Sequence, residues 1–232
     1  MSQSLDVFDR YVSPLASRNA SPEMQAIWSP RRKFSAWRRL WLALAEAQKE
    51  LGLPITDEQI EQLRAHQVVT DADLVRAAEY ERKLRHDVMA HVHALGDVAP
   101  AARPIIHLGA TSQDINCNTE LPLLREALDL VCVKIARVID ALATFAETWR
   151  TLPTLAFTHY QPAQPTTLGK RAATWAYDLF LCLERLERTE DDIRLRGMRG
   201  ATGTQASYLS LFNDDPYKVA ELESLVAEKL GF

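Results

Sequence analysis

The sequence lacks the features of membrane, secreted and fibrous proteins. Its richest apolar stretch, residues 40–53, is interrupted by polar residues and is too short to cross a bilayer. The first eleven residues, MSQSLDVFDRY, contain two aspartates and no apolar segment of a secretory signal. Eight glycines and eleven prolines in 232 residues are too few for a fibrous or disordered chain. We therefore expect a globular protein without a membrane partner.

Cysteine and basic charge are also scarce. The chain has three cysteines, an odd number without C-x-x-C spacing, so neither a disulfide framework nor a zinc ribbon is predicted. A reducing, cytoplasmic location is the simplest expectation. The formal net charge of −4 gives no general attraction to phosphates, so no nucleic-acid partner is predicted. The glycine-rich GATGTQ at 200–205 lacks the G-K-[ST] ending of a nucleotide-binding loop.

Helix signals dominate what is present. A serine followed by Pro30 predicts a helix that runs to Gly52, and Thr56 begins another with an acidic first turn. Asp71 can cap one further helical segment that ends near Gly96. No strong strand pattern is visible. The predicted fold class is therefore all-α.

Two longer helices are predicted in the second half of the chain. Apolar residues step by alternating threes and fours through residues 121–149 and again through residues 168–193. Each helix would span roughly 40 Å, and such rods usually bury their apolar seams in an oligomeric bundle. We predict an N-terminal helical domain at residues 1–111 and the first part of a central long-helix bundle at residues 112–232.

The first candidate for proton transfer is His159, in the proline-rich loop FTHYQPAQPTT that connects the two long helices. Imidazole has an ordinary pKa near 6.5 and can exchange a proton at neutral pH. Loops on a rigid scaffold often carry catalytic groups. The alternative is a histidine that caps or bridges helix ends.

A second candidate group is Arg85, His86 and Asp87, which are followed by two more histidines. Arginine can bind an anion in bidentate fashion, and a carboxylate near an imidazole fixes its tautomer. Adjacent side chains on a helix diverge, however. A metal site is disfavoured, because no H-E-x-x-H motif or cysteine partner accompanies the histidines. His91 and His93 are predicted to lie on the surface of an amphipathic helix.

A third candidate is the segment GATSQD at 109–114, at the start of the first long helix. Hydroxyls and free amides at a helix N-terminus bind carboxylates, which makes Thr111 and Ser112 candidates for substrate binding. The simpler interpretation is that Ser112 or Asp114 only caps the helix.

Taken together, five segments resemble the adenylosuccinate lyase family of the fumarase and aspartase superfamily. They are SPLASRNASPEM, RHDVMAHVH, IIHLGATSQD, LPTLAFTHYQPAQPTTLGKR and GATGTQAS. The T-H-x-Q-P-A-Q pattern alone would indicate only the superfamily, whereas RHDVMAHVH combined with GATS narrows the resemblance to the family.

The resemblance implies a homotetramer that binds a succinylated purine nucleotide and needs no metal or organic cofactor. It would eliminate fumarate from adenylosuccinate, giving AMP, and from the succinylated imidazole carboxamide ribotide SAICAR, giving AICAR. The family's general acid falls on His159, and His86 would support it. Positions that match the family's substrate-binding residues are Arg18, Asn19, Arg85, Asp87, Thr111, Ser112 and Thr158.

Two departures from the family pattern accompany the resemblance. Asn19 stands where the family commonly has a tyrosine. The family's signature loop S-S-x-M-P-x-K-x-N, which carries a serine base, is not found in the sequence, and we expect a truncated chain that is inactive alone. Two alternatives stay open: another lyase of the superfamily, such as argininosuccinate lyase, and a non-catalytic helical assembly module.

Overall fold

The structure, a computed structural model, describes residues 13–232, and helices make up most of them. The N-terminal segment considered above as a possible signal lies outside the described residues. After a π-helical turn at Leu15–Asn19, the elements are α1 (Pro22–Ile27), α2 (Pro30–Glu50), α3 (Asp57–Ala65), α4 (Asp71–Leu84), α5 (Asp87–Val98), α6 (Ser112–Thr148), β1 (Pro153–Thr158), β2 (Gln161–Thr167), α7 (Leu168–Asp191), α8 (Ala206–Leu211) and α9 (Pro216–Lys229). The predicted all-α class is confirmed. No helix in this part of the chain is long and apolar enough to cross a membrane.

Local capping interactions explain where several helices begin. The Ser29 hydroxyl accepts the Arg32 amide at 3.3 Å, with Pro30 at the first helical position of α2. Thr56 and Gln59 form a reciprocal capping box at α3. Each start was predicted from the residues themselves, and both predictions are confirmed.

The single helix predicted from Asp71 to the neighbourhood of Gly96 is wrong. The segment forms two helices, α4 and α5, because Arg85 adopts a left-handed conformation with φ 55°. The predicted cap is also displaced by one residue: Thr70 caps α4, and Asp71 is its first residue. The interruption occupies only two positions, so the apolar pattern continues almost unchanged across it.

The loop predicted around His159 is also wrong in detail, since it forms a two-stranded antiparallel hairpin. Pro153 in β1 pairs with Thr167 in β2, and Thr158 pairs with Gln161 at the other end. Pro162 and Pro165 lie in β2, where they are tolerated because both strands of a two-stranded sheet are edges. The prolines hide the alternating pattern by which a strand is usually recognised.

The chain divides into two compact units. The first contains the described residues up to Leu123 together with Arg194–Phe232, and the second contains Leu124–Ile193. These units reflect packing within this chain, and the domain boundary predicted between residues 111 and 112 stays a prediction.

The first unit has a well-packed core around α2. Trp37, Leu40 and Leu44 of this helix are almost completely buried, together with Leu95 of α5 and Leu222 of α9. Burial of several such side chains stabilises a fold by about 1.5–3 kcal/mol each. The last helix of the chain therefore completes a core that the N-terminal helices begin.

The second unit lacks such a core. Its only buried residues beyond Ala127 are Gly169 and Ala172. The predicted apolar seams are half-buried or exposed, and the exposed large side chains include Val133, Val138, Phe145, Trp149, Trp175, Tyr177 and Phe180.

The long helices α6 and α7 are neighbours within the second unit. The Gly169 amide donates to the Trp149 carbonyl at 3.0 Å. A Cβ atom on Gly169 would lie 2.3 Å from the Ala146 carbonyl oxygen, so only glycine permits this approach. Towards the other end of the pair, burial and the nearby Asp129 carboxylate raise the pKa of Glu190.

The prediction that His91 lies on the surface is wrong. The imidazole is buried in the first unit and stacks on Phe34, with ring centroids 3.7 Å apart. Desolvation lowers the pKa of His91 to about 4, from an ordinary value of 6.5, and the nearby Arg38 guanidinium acts in the same direction. The ring is therefore an uncharged member of the core at neutral pH.

Replacing this ring should change how stability depends on pH. Because protonation is easier in the unfolded chain, the native chain should lose on the order of 2–3 kcal/mol of stability through His91 as pH falls from about 7 to 4. His91→Phe keeps an aromatic ring but cannot be protonated. Its loss of stability over the same pH range should therefore be smaller than that of the native chain by this amount. Urea unfolding followed by tryptophan fluorescence measures the difference. Above pH 7 the gap between the two proteins should be constant, and a gap that does not change down to pH 4 would contradict the prediction.

Candidate functional site

The break between α4 and α5 places three candidate residues where the chain changes direction. Arg85 ends α4 in the left-handed conformation, and His86, in extended conformation, is the N-cap of α5. Asp87 is the first residue of α5, and its carboxylate accepts the Val88 amide at 2.7 Å. The Arg85 and His86 side chains are exposed and Asp87 is half-buried, so all three can contact a ligand.

The His86 ring is fixed by two hydrogen bonds. Nδ1 accepts the Met89 amide at 3.2 Å, and Nε2 lies 3.1 Å from the Ser112 hydroxyl oxygen. Because Nδ1 is an acceptor, the neutral ring carries its proton on Nε2 and donates it to Ser112. The hydroxyl proton of Ser112 then remains available to a ligand. The arrangement therefore presents a donor to an anion, such as a carboxylate.

The start of α6 contributes the other polar groups. The Thr111 amide donates to the Asp114 carboxylate at 3.1 Å, and Ser112 is the first helical residue. Asp114, the third residue of the helix, thus binds the amide of the residue that precedes the helix, as in one half of a capping box, while Ser112 bonds to His86. The structure brings His86 next to Ser112, which is 26 positions further along the chain, and Thr111 directly precedes Ser112. The positive end of the α6 dipole favours an anion at this position.

His107 belongs to the same surroundings and was not singled out in the sequence. It has a left-handed backbone, with φ 67°, and its Nδ1 accepts the Trp41 indole N–H at 3.2 Å. Burial lowers the pKa of His107 to about 4, while the Asp114 charge acts in the opposite direction. The ring is therefore neutral. Its place directly before LGATS was the only available signal, because its partner Trp41 is 66 positions away.

Arg18 and Asn19 lie in the π-helical turn Leu15–Asn19 of the first unit, and both side chains are exposed. Single π-helical turns are rare and frequently occur at functional sites. The assignment of these two residues to substrate binding stays a prediction.

His159 lies at the tip of the hairpin in the second unit. His159 and Tyr160 form the two-residue turn between β1 and β2, with φ values of 50° and 61°. Such a turn normally has Asn-Gly or Gly-Gly, because other residues are strained with positive φ. Residues held in this region cost about 1–3 kcal/mol each and tend to cluster at functional sites. Both side chains are exposed to solvent in this chain.

An open groove lies beside this hairpin, within the second unit. Its volume is about 550 Å³, and its lining includes Thr158, Gln164, Lys170 and Arg171. The Arg171 guanidinium also donates to the Leu155 carbonyl at 2.7 Å, which attaches α7 to β1. Thr158, which directly precedes His159, therefore belongs to a surface with hydroxyl, amide and cationic groups.

The donor groups of residues 13–232 do not form a metal site. Nowhere in this part of the chain do three or more His, Cys, Asp or Glu side chains converge in a way that could hold a metal ion.

Known proteins resemble this chain over nearly all of its length. A family model described as Lyase matches residues 17–231. The adenylosuccinate lyase of Saccharomyces cerevisiae is 52% identical over 97% of this chain and 47% of its own length. The adenylosuccinate lyase of Schizosaccharomyces pombe is 48% identical over 98% of this chain and 48% of its own length. The chain thus spans about half the length of the curated relatives it matches.

Solved structures have the same fold. A fumarate lyase from Mesorhizobium sp. BNC1 has a TM-score of 0.80 and 27% identity, covering 91% of this chain and 48% of that one. A 3-carboxy-cis,cis-muconate lactonizing enzyme from Pseudomonas putida has a TM-score of 0.79 and 28% identity. This match covers 90% of the present chain and 47% of that enzyme. The two names describe different reactions, so the fold alone does not define the substrate.

The hydrogen bonds of His86 predict its tautomer. In mildly alkaline solution, where imidazoles are neutral, the proton should reside on Nε2. Long-range proton–nitrogen NMR spectra of this chain would identify the protonated nitrogen directly. In Ser112→Ala the Met89 amide still occupies Nδ1, so the tautomer should persist while the Nε2 proton exchanges faster with solvent.

Ser210→Ala is the matched control, because Ser210 is an exposed serine of the same unit. It should leave the His86 signals unchanged. A proton found on Nδ1 of His86 in the unchanged chain would contradict the hydrogen bond from the Met89 amide.

Proposed function

The chain belongs to the lyase family whose model matches residues 17–231, and we propose that it forms part of an adenylosuccinate lyase. The complete enzyme would eliminate fumarate from adenylosuccinate to give AMP, and from SAICAR to give AICAR. The observation that carries this proposal is the 52% identity to an adenylosuccinate lyase over 97% of the chain. Because the chain spans about half of that relative, the activity is proposed for the whole protein.

The chemistry requires an acid, a base and a site for negative charge. Removing a proton from the carbon beside a carboxylate builds up a dianion, which preorganised donors and cations stabilise. We assign His159 as the acid that protonates the departing nitrogen. The base would be a serine outside this chain, as in the family's signature loop. No metal or organic cofactor takes part in this scheme.

The first unit supports the role of anion site. The His86 ring, whose Nδ1 accepts the Met89 amide, directs its Nε2 proton toward Ser112, whose hydroxyl can donate to a carboxylate. Thr111 adds a hydroxyl, and Arg85 provides a positive charge at an exposed position. We propose that these residues bind carboxylates of the substrate, with Asp87 supporting the histidine and with Arg18 and Asn19 contacting the nucleotide.

The second unit supports assembly into a homotetramer. Beyond Ala127 it buries only Gly169 and Ala172, while large aromatic side chains of α6 and α7 face solvent. Exposed apolar surface of this extent usually marks an interface. We propose that copies of the enzyme cover these helices and that each active site is completed by three subunits. Placement of the assembled enzyme in the cytoplasm belongs to the same proposal.

Replacing the proposed acid tests the reaction. In the complete enzyme, His159→Gln should lower kcat/KM for adenylosuccinate by at least about 100-fold, since general acid catalysis contributes about 10²–10⁴. Release of fumarate is the measurement. His66→Gln, a replacement of the same kind in the first unit, is the control and should retain activity.

Two results would contradict the proposal in different ways. An unchanged enzyme that ignores adenylosuccinate but cleaves argininosuccinate would assign it to another lyase of the superfamily. An enzyme that binds neither AMP nor any such substrate would be the non-catalytic assembly module. Undiminished cleavage by His159→Gln would refute only the role of that residue.

Self-association can be tested on this chain alone. Trp175 of α7 is 55% exposed, and a charge at this position should be costly in an apolar interface. Sedimentation velocity should show oligomers for the unchanged chain and smaller species for Trp175→Glu.

Val75→Glu is the matched control, because Val75 is an exposed apolar residue of the first unit. It should sediment like the unchanged chain. A chain that remains monomeric at every accessible concentration would contradict association through these helices.

A further inference from the structure

Asp114 is a buried carboxylate that receives hydrogen bonds from two distant parts of the first unit. It is 4% exposed. From its own neighbourhood it accepts the Thr111 amide at 3.1 Å. From the segment far along the chain it accepts the Arg199 amide at 3.0 Å, the Gly200 amide at 3.1 Å and the Tyr208 hydroxyl at 3.2 Å. Both carboxylate oxygens are therefore occupied by donors of the protein.

Further contacts hold the same two segments together on either side of Asp114. The Asn118 side chain, one turn further along α6, bonds to both the amide and the carbonyl of Gly197, at 3.1 and 2.9 Å. On the other side, the Ser207 hydroxyl donates to the Gly109 carbonyl at 2.6 Å. We call the pairing of residues 109–118 with residues 197–208 the Asp114 clamp.

The clamp fits closely at Gly109. This residue has φ +75°, and a Cβ atom there would lie 3.1 Å from the Tyr208 ring. The aromatic ring thus packs against the backbone two residues before Thr111, while its hydroxyl bonds to Asp114. Hydrogen bonds to a buried carboxylate are stronger than those between neutral groups, so the arrangement is strongly held.

The clamp fixes the backbone that carries Thr111 and Ser112. The Thr111 amide is directed inward to Asp114, which leaves the threonine and serine side chains as the groups that can reach a ligand. A binding group must be held within about 0.5 Å to be effective, and such accuracy requires supporting residues that do not touch the ligand. Asp114 and Tyr208 are both buried, so neither side chain can contact a bound substrate directly.

We infer that Asp114 and Tyr208 are positioning residues, which hold Thr111 and Ser112 where they bind a carboxylate of the substrate. This inference rests on the proposed function for its ligand, and on the hydrogen bonds of the clamp for its geometry. It also assigns a role to the glycine-rich segment at 200–205: the Gly200 amide is an anchor of the substrate site.

The clamp itself is tested on this chain by amide hydrogen exchange. Asp114→Asn leaves a side chain of the same size but replaces one acceptor oxygen by a donor group, so the Thr111 and Gly200 amides should exchange at least about 10-fold faster. Tyr208→Phe removes a single hydroxyl and should cause a smaller change at the same amides. Tyr217→Phe, at an exposed tyrosine, is the matched control and should change neither.

The role in binding is tested in the complete enzyme by separating KM from kcat. Loss of positioning weakens binding, so Asp114→Asn should raise KM by about 10-fold and Tyr208→Phe by about threefold, with smaller changes in kcat. Tyr217→Phe changes an exposed tyrosine of the first unit that lies outside the clamp, and it should leave KM unchanged.

The outcomes separate this inference from the proposed function. Unchanged KM in both Asp114→Asn and Tyr208→Phe overturns it, and so does a fall in kcat alone, which would report only a loss of folded enzyme. An equal rise in KM for Tyr217→Phe overturns it too, because the effect would then not depend on the clamp. If the unchanged enzyme does not cleave adenylosuccinate, the proposed function fails, and the exchange rates of the Thr111 and Gly200 amides still decide whether the clamp exists.

Discussion

One imidazole makes two hydrogen bonds on which the candidate anion site depends. Nδ1 of His86 binds the first turn of α5, and Nε2 reaches the first turn of α6. In an uninterrupted helix the Met89 amide would bond to the carbonyl of residue 85, so the ring would have no donor for Nδ1 and no fixed tautomer. The left-handed conformation of Arg85 destabilises the fold by about 1–2 kcal/mol, and the helix cap that it permits stabilises the fold by a similar amount. The helix break is therefore inexpensive, and it positions a histidine accurately.

The two packing units differ in what holds them together. The first unit encloses tryptophan, leucine and isoleucine side chains in a continuous core, and its histidines at 91 and 107 are neutral because they are desolvated there. The second unit consists of long helices and a hairpin whose apolar side chains remain largely accessible. Since apolar burial is the main favourable term in folding, residues 124–193 gain little of it from one another. A long seam without a partner in its own chain is the physical reason for proposing association.

Local signals in the sequence predicted the fold well, and long-range contacts explain what it did not predict. The starts of α2 and α3 follow from side chains within three positions of the cap, such as Ser29 with the Arg32 amide. The seams of α6 and α7 follow from spacing alone. His91 was misplaced because its burial depends on Phe34 of another helix, and His107 was overlooked because its partner is Trp41. The hairpin was missed because its prolines and a His-Tyr turn contradict ordinary strand and turn preferences.

The same consideration applies to the candidate site. Its residue types could be predicted from RHD, GATS and THYQ, because these segments are short and rich in polar groups. The arrangement of these residues could not be predicted. Asp114 accepts hydrogen bonds from Thr111 nearby, but also from Gly200 and Tyr208, which are more than 80 positions away.

The turn at His159 adds a final constraint. A two-residue hairpin turn restricts the backbone more than a long loop does, and it places the imidazole at a defined distance from the strands. Both turn residues, His159 and Tyr160, have left-handed backbones. Asparagine or glycine would adopt this conformation with less strain. The strain contributes nothing to packing in this chain, because both side chains project into solvent. The strained backbone of His159 and the neighbouring groove lined by hydroxyl and cationic groups both support the proposal that this ring transfers a proton.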